Sequence, residues 1–182
     1  MEEVNIHLHK TVACGAICAN IVSFLVEHFL YSCNHVPCPL EMMRQHMEQM
    51  EDCNRHMSAH RRARHFLGQL EDLHEAIRVE FSGVVVDPQQ QEEVSPPVVA
   101  VTVGGSVRCP QQMLLVDFHV GEGGARDWLR PVDVQQEVDP CCRYVLRNML
   151  QQGIYWQESA PLARLSLFLG RDTRTKDAPP DA

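Results

Sequence analysis

Histidine and cysteine side chains cluster near residue 60, where they could hold a metal ion. His56 and His60 lie four residues apart, a spacing that places both rings on one face of a helix. Cys53 and His65 flank this pair. A structural zinc site normally combines two such pairs, often including a CxxC element, but the sequence has one HxxxH pair and no CxxC element. We therefore interpret these residues as surface histidines at the start of a helix, and we expect neither a metal nor another cofactor.

The eight cysteines raise two further hypotheses, a disulfide framework and a thiol enzyme. Their spacing is irregular, several lie at positions expected in a core, and the start of the chain lacks a secretory signal. We predict reduced thiols in an intracellular protein without a membrane anchor, since the apolar run over residues 12–26 is shorter than the ~20 residues of a membrane span. A thiol enzyme would need a histidine and an orienting group beside one cysteine, and no pattern singles one out.

Other catalytic motifs are not recognisable in the sequence. The glycine pair in Gly104-Gly105-Ser106 lacks the Lys and Ser/Thr of a phosphate-binding loop, and neither GxSxG nor GxGxxG occurs. We predict a hairpin turn at these residues. The sequence therefore favours a binding or adaptor module over an enzyme. The formal net charge of −8 argues against nucleic acid as the main partner, and we interpret the arginines of residues 55–64 as the solvated side of a helix.

Apolar spacing predicts helices in the first half of the chain. The central one spans Ser58 to Phe81, with its buried face formed by Phe66, Leu70, Leu73, Ile77 and Phe81. An earlier helix is predicted from Thr11 to Tyr31, ended by the prolines that follow. A short, Met-rich helix is predicted within residues 40–53.

Short Val-rich or alternating segments predict strands, chiefly in the second half. These segments are residues 4–8, 97–103, 113–120, 132–138, 142–150 and 163–170. Helices followed by strands favour an α+β fold with an antiparallel sheet against the helices. We predict one domain over residues 1–171 and a disordered tail over residues 172–182, which are charged and Pro-rich.

Several short motifs, in order, resemble the comet family of spindle-checkpoint proteins. They are FLYSCNHVPCPLE (29–41), the helix at 64–75, the strand and turn at 98–110, DWLRP (127–131), and the pairs at 155–156 and 160–161. Together they cover most of residues 12–170. The resemblance implies a HORMA-like fold, in which helices pack on one face of the sheet and a C-terminal segment forms a safety belt.

The resemblance also implies a function and partners. It implies a noncatalytic adaptor that binds the closed conformer of the Mad-two checkpoint protein and presents it to a hexameric AAA+ ATPase, which silences the spindle assembly checkpoint. The implied location is the nucleus and cytoplasm, and the spindle or kinetochore in mitosis. No nucleic acid or membrane is expected as a partner.

Two groups of residues are implied as contacts. Tyr31 and Ser32 match the family's contact with the checkpoint protein, although Ser32 stands where the family has Gln. Trp128, Arg130 and Pro131 match its contact with the ATPase, although the next residue is Val rather than Lys. Two alternatives stay open: an ordinary helix end at Tyr31, and a core or belt anchor at Trp128.

The segment 119–126 is a departure from the family, which carries a contact helix between the preceding strand and the DWLRP motif. Eight residues cannot form a helix of three turns, so we expect that helix to be missing. An alternative function is a HORMA-like structural or assembly subunit, or truncated isoform, that has lost checkpoint binding. A third hypothesis is a small thiol- or metal-dependent enzyme.

Overall fold

In the part of the chain that the structure describes, four helices and a three-stranded antiparallel sheet form the fold, and their content confirms the predicted α+β class. The computed structural model describes residues 14–49, 58–82, 96–106, 108–118, 128, 133–153 and 164–171 of the 182. The helices are α1 (Gly15–Ser32), α2 (Leu40–Gln49), α3 (Ser58–Ser82) and α4 (Val134–Gln151). The strands are β1 (Pro97–Ser106), β2 (Cys109–Val116) and β3 (Arg164–Arg171). The predicted first strand and C-terminal tail lie outside the described residues.

Helix α1 is buried on two sides, which explains why it is apolar around most of its circumference. One side packs with α3 and the sheet, and the other packs with α4. The first side includes Cys18, Val22, Val26 and Phe29. The second includes Cys14, Ile17, Ile21 and Leu25. By length and composition alone α1 could also cross a membrane, but in this fold its apolar sides are covered by the other elements.

Helix α3 confirms the predicted central helix and extends it by one residue. Leu70, Ile77 and Phe81 are buried, while Phe66 and Leu73 are partly buried against the same core. The ring of Phe81 also meets the ring of Phe118 edge to face, with centroids 5.6 Å apart. The last turn of α3 therefore lies where the helices meet the end of the sheet.

The sheet has the order β2-β1-β3, with β1 in the centre. Val99, Val101 and Val103 are fully buried on its inner face. In the antiparallel register Val101 is opposite Leu114 of β2, and Val99 is opposite Leu169 of β3. This alternation places the inner face of all three strands against the helices, as period-two patterning predicts.

The predicted turn at Gly104–Ser106 is wrong. Strand β1 continues through these residues, with Gly104 opposite Pro110 and Ser106 opposite Cys109. Strand β2 begins at Cys109 and ends at Val116, so it starts and ends earlier than the predicted strand. Glycine at position 104 lets strand β2 approach β1 closely. A Cβ on Gly104 would lie 2.7 Å from the backbone nitrogen of Gln111, at an irregular point of the register.

The strands predicted at residues 132–138 and 142–150 are also wrong, because α4 occupies this part of the chain. Its buried residues, Cys141, Cys142, Val145 and Met149, have helical spacing and pack on α1. Pro140 lies within the helix, where it removes one backbone hydrogen bond, but burial of the opposite face stabilises the helix. A helix therefore lies between β2 and β3, after Trp128. The segment 119–126, where the family helix is expected to be missing, lies outside the described residues.

Candidate partner-binding surfaces

The end of α1 presents Tyr31, one of the two residues matched to the checkpoint-protein contact. The helix ends in a Schellman motif, in which His35 N–H donates to Leu30 O at 2.9 Å and Asn34 N–H donates to Tyr31 O at 3.0 Å. Asn34 adopts the left-handed conformation that this ending requires, with φ of 57°. The side chain of Tyr31 is 42% exposed and that of Ser32 is partly exposed. A fixed helix end therefore holds an accessible tyrosine.

Trp128, matched to the ATPase contact, lies in the core with only 2% of its surface exposed. Its indole Nε1 donates a hydrogen bond to the carbonyl oxygen of Phe81 at 3.1 Å. Its ring stacks on the ring of Phe81, with centroids 5.9 Å apart and planes 23° apart. The geometry favours the core-anchor alternative, and any effect of Trp128 on a partner would come through the position of its neighbours. Arg130 and Pro131 lie outside the described residues.

The two implied contact regions lie toward opposite ends of α1. A Cβ built on Gly15 would lie 2.8 Å from Trp128 Nε1, so the tryptophan packs directly on the first turn of this helix. Tyr31 lies sixteen residues further along, which corresponds to about 24 Å at 1.5 Å per residue. The structure therefore does not bring Tyr31 and Trp128 together into one site.

Helix α4 has an exposed side that sequence reasoning missed because the segment was interpreted as strands. Tyr144 and Leu150 are each 47% exposed, and Arg143 and Arg147 are exposed beside them. Tyrosine and arginine are enriched in protein interfaces. The spacing of Val138, Cys142, Val145 and Met149 was the signal that could have revealed the helix.

The outer face of the sheet carries exposed apolar side chains. Met113, Leu115 and Phe168 are 40%, 53% and 44% exposed. Leu115 and Phe168 both lie opposite Ala100 of the central strand, so they share one side of the sheet. Contiguous apolar surface of this kind is typical of protein contact sites.

A polar junction joins α1, α2 and α3 around Glu27. Arg44 Nη2 donates to Glu27 Oε1 at 2.7 Å, and His74 Nε2 lies 3.7 Å from the same oxygen. That nitrogen is buried without a hydrogen-bond partner. Burial lowers the pKa of His74, and Arg44 lowers it further, while Glu27 raises it. His74 is therefore held neutral near pH 7, beside a cavity of about 430 Å³ that Glu27 and Arg143 also line.

The buried thiols are poorly suited to nucleophilic chemistry. Burial raises the pKa of Cys18, and it raises the pKa values of Cys33 and Cys142 to about 11. The thiolate is the reactive form, so these groups are held in the unreactive thiol state. Across residues 14–49, 58–82 and the other described segments, no three His, Cys, Asp or Glu side chains are grouped to hold a metal ion.

Fold and surfaces together define an α+β protein whose described elements expose tyrosine and apolar side chains at the end of α1, on α4 and on the outer face of the sheet. The chain matches none of the known protein-family models, and no curated protein matches it.

Proposed function

We propose that this protein is a noncatalytic adaptor of the spindle assembly checkpoint with a HORMA-like fold. It binds the closed conformer of the Mad-two checkpoint protein and presents it to a hexameric AAA+ remodelling ATPase, in the nucleus and cytoplasm and at the spindle or kinetochore. The C-terminal part that includes β3 serves as the safety belt. The observation that carries the proposal is Tyr31, which is exposed at a fixed helix end where the resemblance implies the partner contact.

Helix α4 supports the proposal because it offers an exposed surface for a second contact. The resemblance implies that contact through a helix before the DWLRP motif, whereas α4 follows the motif and lies between β2 and β3. Its exposed side includes Tyr144 and Leu150, which would bury apolar surface against a partner. We assign this second contact to the exposed side of α4.

Size-exclusion chromatography of the full chain with purified closed and open conformers of the checkpoint protein tests the proposal. Selective co-elution with the closed conformer is expected. Tyr31→Ala should weaken that complex at least about tenfold, the effect of a loss of ~1.4 kcal/mol, and Leu150→Asp should weaken it similarly. Val79→Ala is the matched control, because Val79 is 56% exposed on α3 and should leave the complex unchanged.

Absence of a complex with a folded native chain, or equal binding to both conformers, would contradict the proposal. An alternative function is a structural or assembly subunit with the same fold, and the apolar outer face of the sheet favours it. In that case Leu115→Asp should release a stable partner, whereas Tyr31→Ala should not. Immunoprecipitation of the two variants distinguishes the two functions.

A further inference from the structure

The first turns of α3 carry a cationic surface that the proposed function does not use. Arg61, Arg62, Arg64 and His65 are all exposed there, and we call them the cationic patch. No acidic residue occurs in α3 before Glu71. The protein as a whole has a net charge of −8, so this local excess of positive charge runs against its overall composition.

Arg61 and Arg62 of the patch have no ion-pair partner among the described residues. The ion pairs formed among the described helices use Arg44 and Arg78 as cations. Arg61 and Arg62 take part in none of them. Arg64 is positioned differently, since its Nη2 lies 3.4 Å from Nε2 of the buried His60. The guanidinium groups of Arg61 and Arg62 are therefore directed to solvent with their charge unneutralised by the described part of the chain.

The location of the patch is unfavourable for the helix itself. The N-terminal end of a helix is the positive pole of its dipole, so cations destabilise it there and anions stabilise it. Arg61 and Arg64 are also three residues apart, and like charges at this spacing repel. Local rules favour acidic residues at these positions, and exceptions to such rules concentrate at functional sites.

We propose that the cationic patch binds an acidic segment of a partner protein. Carboxylates accept charge-assisted hydrogen bonds from arginine, and the helix dipole adds to the attraction. A short acidic segment fits better than nucleic acid, because the patch spans only five residues and the net negative charge of the protein repels a long polyanion. The proposal uses residues of α3 and neither Tyr31 of α1 nor any residue of α4, so its test does not depend on the proposed checkpoint function.

Fluorescence anisotropy of the full chain with a labelled peptide of alternating Glu and Ser tests the proposal. Binding should weaken with added salt, and a peptide with Gln in place of Glu should not bind. The double variant R61E/R62E should bind about tenfold more weakly, since it loses two exposed ion pairs that contribute up to ~1 kcal/mol, about fivefold, each. The matched control is R78E/R108E, two exposed arginines outside the patch, which changes the net charge equally and should bind as the native chain does.

Thermal denaturation shows whether Arg61 and Arg62 contact the peptide directly or only stabilise the fold. R61E/R62E should raise the Tm by about 1–3 °C, because acidic side chains near the start of a helix interact favourably with the helix dipole. No binding of the acidic peptide to the native chain, or equal weakening in both double variants, would overturn the proposal. A lowered Tm together with lost binding would instead assign the arginines a structural role. Tighter, patch-dependent binding of a single-stranded oligonucleotide of equal charge would also overturn it, by replacing the partner class.

Discussion

The indole Nε1 of Trp128 donates a hydrogen bond to the carbonyl oxygen of Phe81, 3.1 Å away, and the two rings stack. Phe81 lies in the last turn of α3, where carbonyl groups have no partner within the helix. The tryptophan therefore satisfies a helix end and fills the core beside it. These two contributions are separable by substitution.

Trp128→Phe should destabilise the fold by about 1–2 kcal/mol, because the aromatic ring is kept but a buried hydrogen bond is lost. Trp128→Ala should cost about 3–5 kcal/mol, because it also leaves a cavity. Urea denaturation followed by circular dichroism measures both. Equal stability of the native chain and the Phe variant would show that the hydrogen bond contributes nothing.

Gly15→Ala should destabilise the fold by about 1–3 kcal/mol through overpacking. A Cβ at Gly15 would lie 2.7 Å from Phe81 O and 2.8 Å from Trp128 Nε1. Gly68→Ala is the matched control, since a Cβ there meets nothing within 4 Å. It should stabilise α3 by about 0.5–1 kcal/mol. Thermal melts of the two variants should therefore shift in opposite directions, and a shared direction would contradict the prediction.

Stability should fall as the pH is lowered below about 6.5, the ordinary histidine value. Burial lowers the pKa of His74 in the folded protein, so the unfolded chain binds the proton more readily and acid favours unfolding. His28 and His35 also have pKa values lowered by burial and act in the same direction. The measurement is the free energy of unfolding between neutral and mildly acidic pH.

His74→Gln should reduce that pH dependence without abolishing it, because His28 and His35 remain. His65→Gln is the control on the same helix, where the side chain is exposed. An unchanged slope in His74→Gln, or an equal change in both variants, would show that His74 does not carry the effect.

Alkylation should separate the cysteines by burial. Cys109 is exposed and Cys38 is half-buried, so of the seven cysteines that the structure describes iodoacetamide should label these two first in the native protein. Cys18, Cys33 and Cys142 are buried, and their raised pKa values keep the thiolate scarce. Peptide mass spectrometry over a time course gives the order. Early labelling of Cys142 would identify an accessible, activated thiol and reopen the thiol-enzyme hypothesis.

The spacing of apolar residues was enough to predict those helices and strands whose buried face matches the local sequence pattern. The stripe of α3 and the alternation of β1 are examples, because one face of each is apolar and the register follows from it. Helix α4 was missed for the opposite reason. Pro140 and the alternating residues before it argue locally against a helix, whereas packing of Val145 and Met149 on α1 stabilises one.

The candidate surfaces were harder to predict, since they depend on contacts between residues far apart in the chain. Tyr31 was found through a short motif, and its exposure follows from its position at a helix end. The burial of Trp128 depends on Gly15 and Phe81, which no local pattern connects to it. The junction of Glu27, Arg44 and His74 requires three helices to be placed at once.

Helix α1 supplies residues to both hydrophobic clusters, one shared with α3 and the sheet and the other with α4. Neither half of the protein keeps its core if this helix detaches. The molecule should therefore lose its structure in a single cooperative transition, with no stable fragment made of the sheet alone or of α4 alone. Amide hydrogens in the middle of α1 should exchange with solvent only through global unfolding, which makes this helix the slowest-exchanging part of the chain.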